Sequence, residues 1–375
     1  MIAKLADNIY SPLGTTTLDN YRAVANHRSA LRRYRGERDL PEPFTASLLD
    51  RDALPRFGDD YTPFERLAIA SVADALGRCG LDPTGGDVLF ILSTTKGNIE
   101  LLDPHCRGAW SDERLAPAVA ARVIAGHFGN RRAPLVVSNA CTSGLCAQIA
   151  AMRAIGAGTC RSAIVVGADL QSRFIISGFQ AFHALDTEPC RPFDASRAGL
   201  NAGEAAATVI YTRADLAPAD AWHATRGAIR NDANHISGPS RTGEGSFRAL
   251  QAVTQGFDTS RLAVVNVHGT ATPYNDEMEA IALDRAGLLD VPVNTLKGYY
   301  GHTMGAAGVL ETVLTMCALD HSTVLATRGF NTLGVSRRVN VSNSHRPTAG
   351  RAFVKLLSGF GGCNAAMLFE KGGER

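Results

Sequence analysis

One cysteine and two histidines, each beside glycine and each following an apolar run, are the residues here whose types and spacing fit chemistry. Cys141 stands in Ser138-Asn139-Ala140-Cys141-Thr142-Ser143-Gly144, His268 in Asn266-Val267-His268-Gly269-Thr270-Ala271-Thr272-Pro273, and His302 in Gly301-His302-Thr303-Met304-Gly305. Spread over about 160 residues, they can meet only in a folded site. A thiol beside two imidazoles suits acyl transfer through a thioester. Glycine beside each permits sharp turns and close approach of a substrate to the backbone.

The elements that position them are legible. Pro134 to Val137 reads as a short buried strand, Ser143 to Ile155 as a helix, and Ser162 to Val166 as a further strand, which together imply a parallel crossover unit. Cys141 then lies at a strand-to-helix turn. There the helix dipole and free amides are expected to lower the thiol pKa, and its own N–H can hold an oxyanion. The second half repeats the plan, with a strand over 262–267 ending at His268, helices over 276–286 and 305–319, and late strands over 352–357 and 365–369. Gly359-Phe360-Gly361-Gly362 between those strands reads as a turn offering a second oxyanion N–H. Ligands of open parallel sheets gather beyond the carboxyl ends of strands, so the three residues are expected in one crevice. Ala214 to Ala221 marks the junction, dividing the chain into halves 1–217, with the nucleophile, and 218–375, with both histidines.

Lys297 precedes His302 by five residues and Glu311 follows it by nine, so Glu311 is the expected partner of a buried Lys297. Thr270 and Thr272 offer hydroxyls to an amide-rich substrate arm. Asp276 and Glu279 read as acids at a helix N-terminus.

Composition excludes other classes. Of 375 residues, 45% are hydrophobic and 20% charged, and the net charge is +2. That balance gives no case for nucleic acid. No uninterrupted apolar stretch is long enough for a membrane span. The eight cysteines show no metal-ligand spacing, so neither a metal nor a bound cofactor is expected. Their scatter, with no secretory h-region near Met1, points to a cytoplasmic protein.

Together these motifs resemble the β-ketoacyl-acyl-carrier-protein synthases, condensing enzymes of the thiolase-fold superfamily. The resemblance is carried by Ala140-Cys141-Thr142-Ser143-Gly144, by His268 to Pro273 with Asp276, by Lys297, His302 and Glu311, and by Gly359-Phe360-Gly361-Gly362 followed by Asn364. Arg191-Pro192-Phe193-Asp194 with Arg197, Gly203-Glu204 and the opening Tyr10 to Gly14 add to it. It implies an α/β, duplicated α-β-α-β-α five-layer fold, usually dimeric. It also implies that Cys141 takes an acyl group from the phosphopantetheine arm of an acyl carrier protein. His268 and His302 would then hold the enolate left when a malonyl thioester loses carbon dioxide. The Cys141 and Phe360 amides would form the oxyanion site, Phe360 would gate it, and Thr270 and Thr272 would line the pantetheine path.

Several residues depart from the family's common pattern: Tyr274-Asn275, Ser358, Cys363 and the polar run Thr94 to Glu100. They leave the acyl substrate open, whether of a fatty-acid, polyketide or polyene pathway. Alternatives to a homodimeric synthase are the catalytic half of a ketosynthase and chain-length-factor pair, a CoA-dependent thiolase and a cysteine hydrolase. Arg66 lies on the helix where the family docks its carrier protein, but its neighbours Phe64 and Leu67 are not basic, so a reduced or rearranged docking patch is expected.

Overall fold

A computed structural model describes residues 1–36 and 40–373. Ten strands hydrogen-bond in one series: Val293–Asn294, Leu262–Asn266, Ala352–Gly359, Cys363–Lys371, Trp222–Asn231, Ile2–Tyr10, Ala205–Arg213, Ser162–Asp169, Val88–Ser93 and Leu135–Val137. The series splits in the middle. Among the described residues only Ile2 and Ala3, opposite Ala224 and His223, pair its two five-stranded halves. Numbered along the chain, the strands of each half lie in the order one, five, four, two, three. The same topology has been built twice.

Two helices lie between the halves. Ser143–Gly156 and Ala307–Asp320 pack on each other, and both also touch strands. In Ala307–Asp320 every residue but Cys317 and Asp320 is buried. A helix that buries residues on every face must be covered on every face, which requires a central layer. Separate apolar clusters lie outside each half, under Pro63–Gly77 on one side and Glu244–Thr254 and Pro273–Arg285 on the other. Helices, sheet, helices, sheet, helices: the five-layer arrangement is present.

The central helices meet through glycine. A Cβ on Gly308 would lie 2.3 Å from the Leu145 nitrogen, and one on Gly144 2.8 Å from the Gly305 oxygen. Gly308→Ala must therefore part the two helices. It is expected to cost about 1–3 kcal/mol by overpacking, read as a lower urea midpoint. An unchanged midpoint would show that the central layer yields.

The expected elements form with small shifts. The nucleophile helix runs Ser143–Gly156, and Pro273 opens the helix Pro273–Arg285. A 3-10 turn, Met304–Ala306, precedes Ala307–Asp320. One reading is corrected. Leu135–Val137 is not a buried strand: it ends the series and Leu135 is 42% exposed. Its apolar run marks an open edge. The crossover holds, but Val88–Ser93 lies between its two parallel strands.

Candidate active site

Each reactive side chain is presented by a strained turn. Ala140, just before Cys141, has φ 47°. Ala271 has φ 65° after His268, and Met304 has φ 54° after His302. Left-handed backbone is costly for residues with a Cβ, so surrounding bonds must impose it. Beside Cys141, Ser143 Oγ accepts from the Asn139 N–H and donates to the Ala140 carbonyl. Past His268, the Ala271 N–H donates to Asp276 at 3.2 Å, and the His268 and Gly269 amides both donate to Glu279 at 2.7 Å. At His302, the backbone N–H donates to Asn201 O at 2.7 Å and the carbonyl accepts from Gly203.

Cys141, His268 and His302 are all buried, and one ligating atom of each lies within 4.8 Å of the others. The imidazoles stand edge to face with centroids 5.0 Å apart. The Met304 N–H donates to His302 Nδ1 at 3.3 Å. A neutral His302 ring therefore carries its proton on Nε2. Among the described residues that buried Nε2 has no hydrogen-bond partner. It is a donor held ready. The amides of Phe360 and of Cys141 itself both favour the thiolate form of the Cys141 sulphur.

Behind the rings lies a fully buried ion cluster. Glu311 receives Lys297 at 2.8 Å on one oxygen and Lys355 at 2.7 Å on the other. Burial works to raise the Glu311 carboxyl, but the two ammonium groups hold it below its usual range. Burial, then Lys297 and Lys355, push His302 well below the ordinary imidazole value, and His268 likewise. Both rings are neutral at physiological pH. Glu311→Ala leaves two ammonium groups facing each other without water. It is expected to cost about 3–5 kcal/mol, measured by chemical unfolding. A loss below about 1 kcal/mol would mean that water reaches the cluster.

The expected low thiol pKa is not found. Burial pushes Cys141 up to about 11, against Lys297, Lys96 and the two amides. The turn does carry the predicted amides, but desolvation of the sulphur outweighs them. Cys141 is held as a thiol beside two neutral imidazoles.

A cavity of about 430 Å³ opens over the three residues. Thr270 and Thr272 line it, with their hydroxyls 2.9 Å apart. Phe360, 37% exposed, packs at its mouth 6.1 Å from Phe179 and 5.7 Å from Phe182. Tyr274 and Asn275 also line it, and Tyr274 is 80% exposed.

Residues 52–217 match the β-ketoacyl synthase N-terminal domain and residues 224–331 its C-terminal domain. The chain belongs to the β-ketoacyl synthase family. It is similar to 3-oxoacyl-[acyl-carrier-protein] synthase 2 of Vibrio cholerae, 31% identical over 281 residues, covering 68% of this synthase and 67% of that one. It is also similar to the tetracenomycin polyketide synthase ketoacyl synthase alpha subunit of Streptomyces glaucescens. There the identity is 27% over 356 residues, covering 84% and 83%. Two solved structures share its fold. The ketosynthase ApeO in complex with its chain length factor ApeC, from Xenorhabdus doucetiae, aligns with TM-score 0.86 and 23% identity over 99% of this chain and 98% of that one. A β-ketoacyl synthase from Burkholderia phymatum aligns with TM-score 0.88 and 22% identity over 99% of each.

Sequence reading missed several residues of this synthase site. Asp276 and Glu279 are more than helix-end acids. Asp276 also accepts from the Phe193 N–H at 2.7 Å, and burial raises its carboxyl to about 6. Burial, then Asp276, raises Glu279 to about 7. Lys355 passed as part of a strand; one lysine in an otherwise apolar run was the available signal. Phe179 and Phe182 carried none. The polar run Thr94 to Glu100 is partly structural: Thr94 and Thr95 bind Asp169, which also receives the Gly305 N–H at 2.6 Å. Arg66 turns toward the Arg51 carbonyl, 3.4 Å away. Among the described residues no helix of the synthase is long and apolar enough to cross a membrane.

Proposed function

We propose that this chain condenses an acyl group held on Cys141 with a malonyl thioester, releasing carbon dioxide and giving a β-ketoacyl thioester, with both substrates carried on the phosphopantetheine of an acyl carrier protein. The observation that carries it is the meeting of Cys141 with two neutral imidazoles over one buried ion cluster. Hydrolysis through a thiol needs one imidazole; stabilising an enolate beside an acyl-cysteine uses two.

The residues divide the work as follows. An acyl thioester enters past Phe360, with its pantetheine arm along Thr270 and Thr272. The Cys141 sulphur attacks the carbonyl and gives its proton to a neutral imidazole. His302 already holds a proton on Nε2, so His268 is the acceptor. The tetrahedral oxyanion sits against the Cys141 and Phe360 amides. The carrier thiolate leaves, taking the proton from His268, and the acyl group remains on sulphur. A malonyl thioester then loses carbon dioxide; His268, neutral again, shifts its ring proton to the nitrogen facing the cavity, and the enolate oxygen takes hydrogen bonds from it and from His302 Nε2. Its carbon attacks the acyl carbonyl, a carbon–carbon bond forms, and Cys141 departs as thiolate and takes up one proton from water. Lys297 and Glu311 hold the charge behind the rings. No separate cofactor and no metal enters these steps.

The nucleophile belongs to a half spanning 1–217 and the imidazoles to one spanning 218–375. The open edge Leu135–Val137 is the surface on which a second ketosynthase-like chain would add its own strand. That chain is either a second copy or a chain-length-factor partner. A cytoplasmic setting accords with eight free cysteines.

Two measurements test the reading. Incubation with acyl-carrier thioesters should add the acyl mass at Cys141, and malonyl-carrier should then release carbon dioxide. Acylation without carbon dioxide release would favour a thiolase and sink the proposal.

A further inference from the structure

Lys355 is used by no step above. It lies wholly buried in the strand Ala352–Gly359, whose residues from Ala352 to Leu357 are otherwise apolar. A buried ammonium is costly unless partnered. This one forms an ion pair with Glu311 Oε2 at 2.7 Å and donates to three carbonyls, Leu356 O at 3.0 Å, Val267 O at 3.2 Å and Asn266 O at 3.3 Å. Asn266 and Val267 are the two residues before His268. Glu311 stands on the helix that follows His302. Leu356 lies four residues before Phe360. One side chain thus ties together the segments that carry both imidazoles and the second oxyanion amide.

Charge gives it a second role. Glu311 already has a partner in Lys297, so the second ammonium leaves the trio with one excess positive charge. The ionisable groups acting on Lys355 are Glu311 on the central helix, Lys297 on the turn Lys297–Tyr300 and Glu279 on the helix Pro273–Arg285. Cys141, His268 and His302 complete the site. Burial pulls Lys355 down, against Glu311, whose carboxylate 2.7 Å away favours the charged ammonium. Its charge acts on both rings.

We propose that Lys355 is a positioning residue for condensation: it pins the strand end bearing His268 to Glu311 and keeps excess positive charge beside both imidazoles, so that they meet the enolate as neutral donors. This rests on the decarboxylative reading. The test uses the full chain, with histidines labelled at the ring carbon and titrated by NMR. In Lys355→Met, Glu311 keeps Lys297, and no carboxylate is orphaned. Loss of the second positive charge makes ring protonation easier. At least one active-site imidazole should titrate about one pH unit higher, and the acid limb of carbon dioxide release should rise with it. The KM for malonyl-carrier should stay within about twofold, so that the loss at low pH falls on kcat. Lys355→Arg, which keeps the charge, should keep wild-type ring titrations. Unmoved ring titrations in folded Lys355→Met overturn the proposal. If Lys355→Met does not fold, Lys355→Gln is read in the same way. Failure of both to fold makes Lys355 a stability element and also overturns it. If the wild type releases no carbon dioxide while the rings shift in Lys355→Met, the condensation reading fails and the charge coupling stands.

Discussion

Cys141→Ala should take up no acyl group from any carrier thioester, and condensation should fall by at least about 10³-fold. The sulphur sits at the floor of the cavity with two amides acting on it, and no other cysteine lines that cavity. Cys363 donates to the Asn139 side chain, and Cys146 bonds Thr142 and Asn139 behind the turn. Neither can replace it. The substitution leaves the imidazoles and the ion cluster in place, so slow decarboxylation of malonyl-carrier should survive. Intact-protein mass spectrometry checks the first outcome; an acyl adduct on the variant would refute the assignment. The buried thiol adds a pH dependence. With Cys141 up at about 11, alkylation of the free protein by iodoacetamide should still be accelerating well above neutral pH.

His302→Ala should lower the rate of decarboxylation and condensation by about 10²–10³-fold, the usual cost of one fixed donor at a developing oxyanion. Its Nε2 is oriented by the Met304 amide on Nδ1 and has no competing partner among the described residues, so the donor is organised before substrate arrives. Acylation of Cys141 uses the amides and His268 instead, and should stay within about tenfold of wild type. Single-turnover acylation followed by carbon dioxide release separates the two steps. Equal losses in both would mean that His302 serves the first step and not the enolate.

The outcome for the ion cluster links these expectations. A neutral imidazole both takes a proton from a thiol and donates to an enolate. Burial supplies neutrality, and the lysines reinforce it. The same burial that keeps the rings neutral keeps the thiol protonated, so nucleophile and donors are set by one physical cause.

The sequence by itself determined the reaction class. Cys141, His268 and His302 stand in short, glycine-flanked turns whose residues are set by backbone demands and are readable locally. Lys297 and Glu311 follow from the need to neutralise a buried ammonium. The repeated alternation of strands and helices also announced the duplicated fold. What required tertiary structure was every property set by residues distant along the chain. Leu135–Val137 looks buried from its composition, but its place at the end of the series leaves it open. Glu279 looks like a helix-end acid until it is seen to hold the His268 turn. Lys355 looks like a strand residue until its ammonium meets a carboxylate 44 positions earlier in the chain. The Cys141 thiol pKa depends on how much water the surrounding layers exclude, and local sequence carries no measure of that. Residue type and spacing encode chemistry and local turns; solvation and charge balance arise only when the chain closes around them.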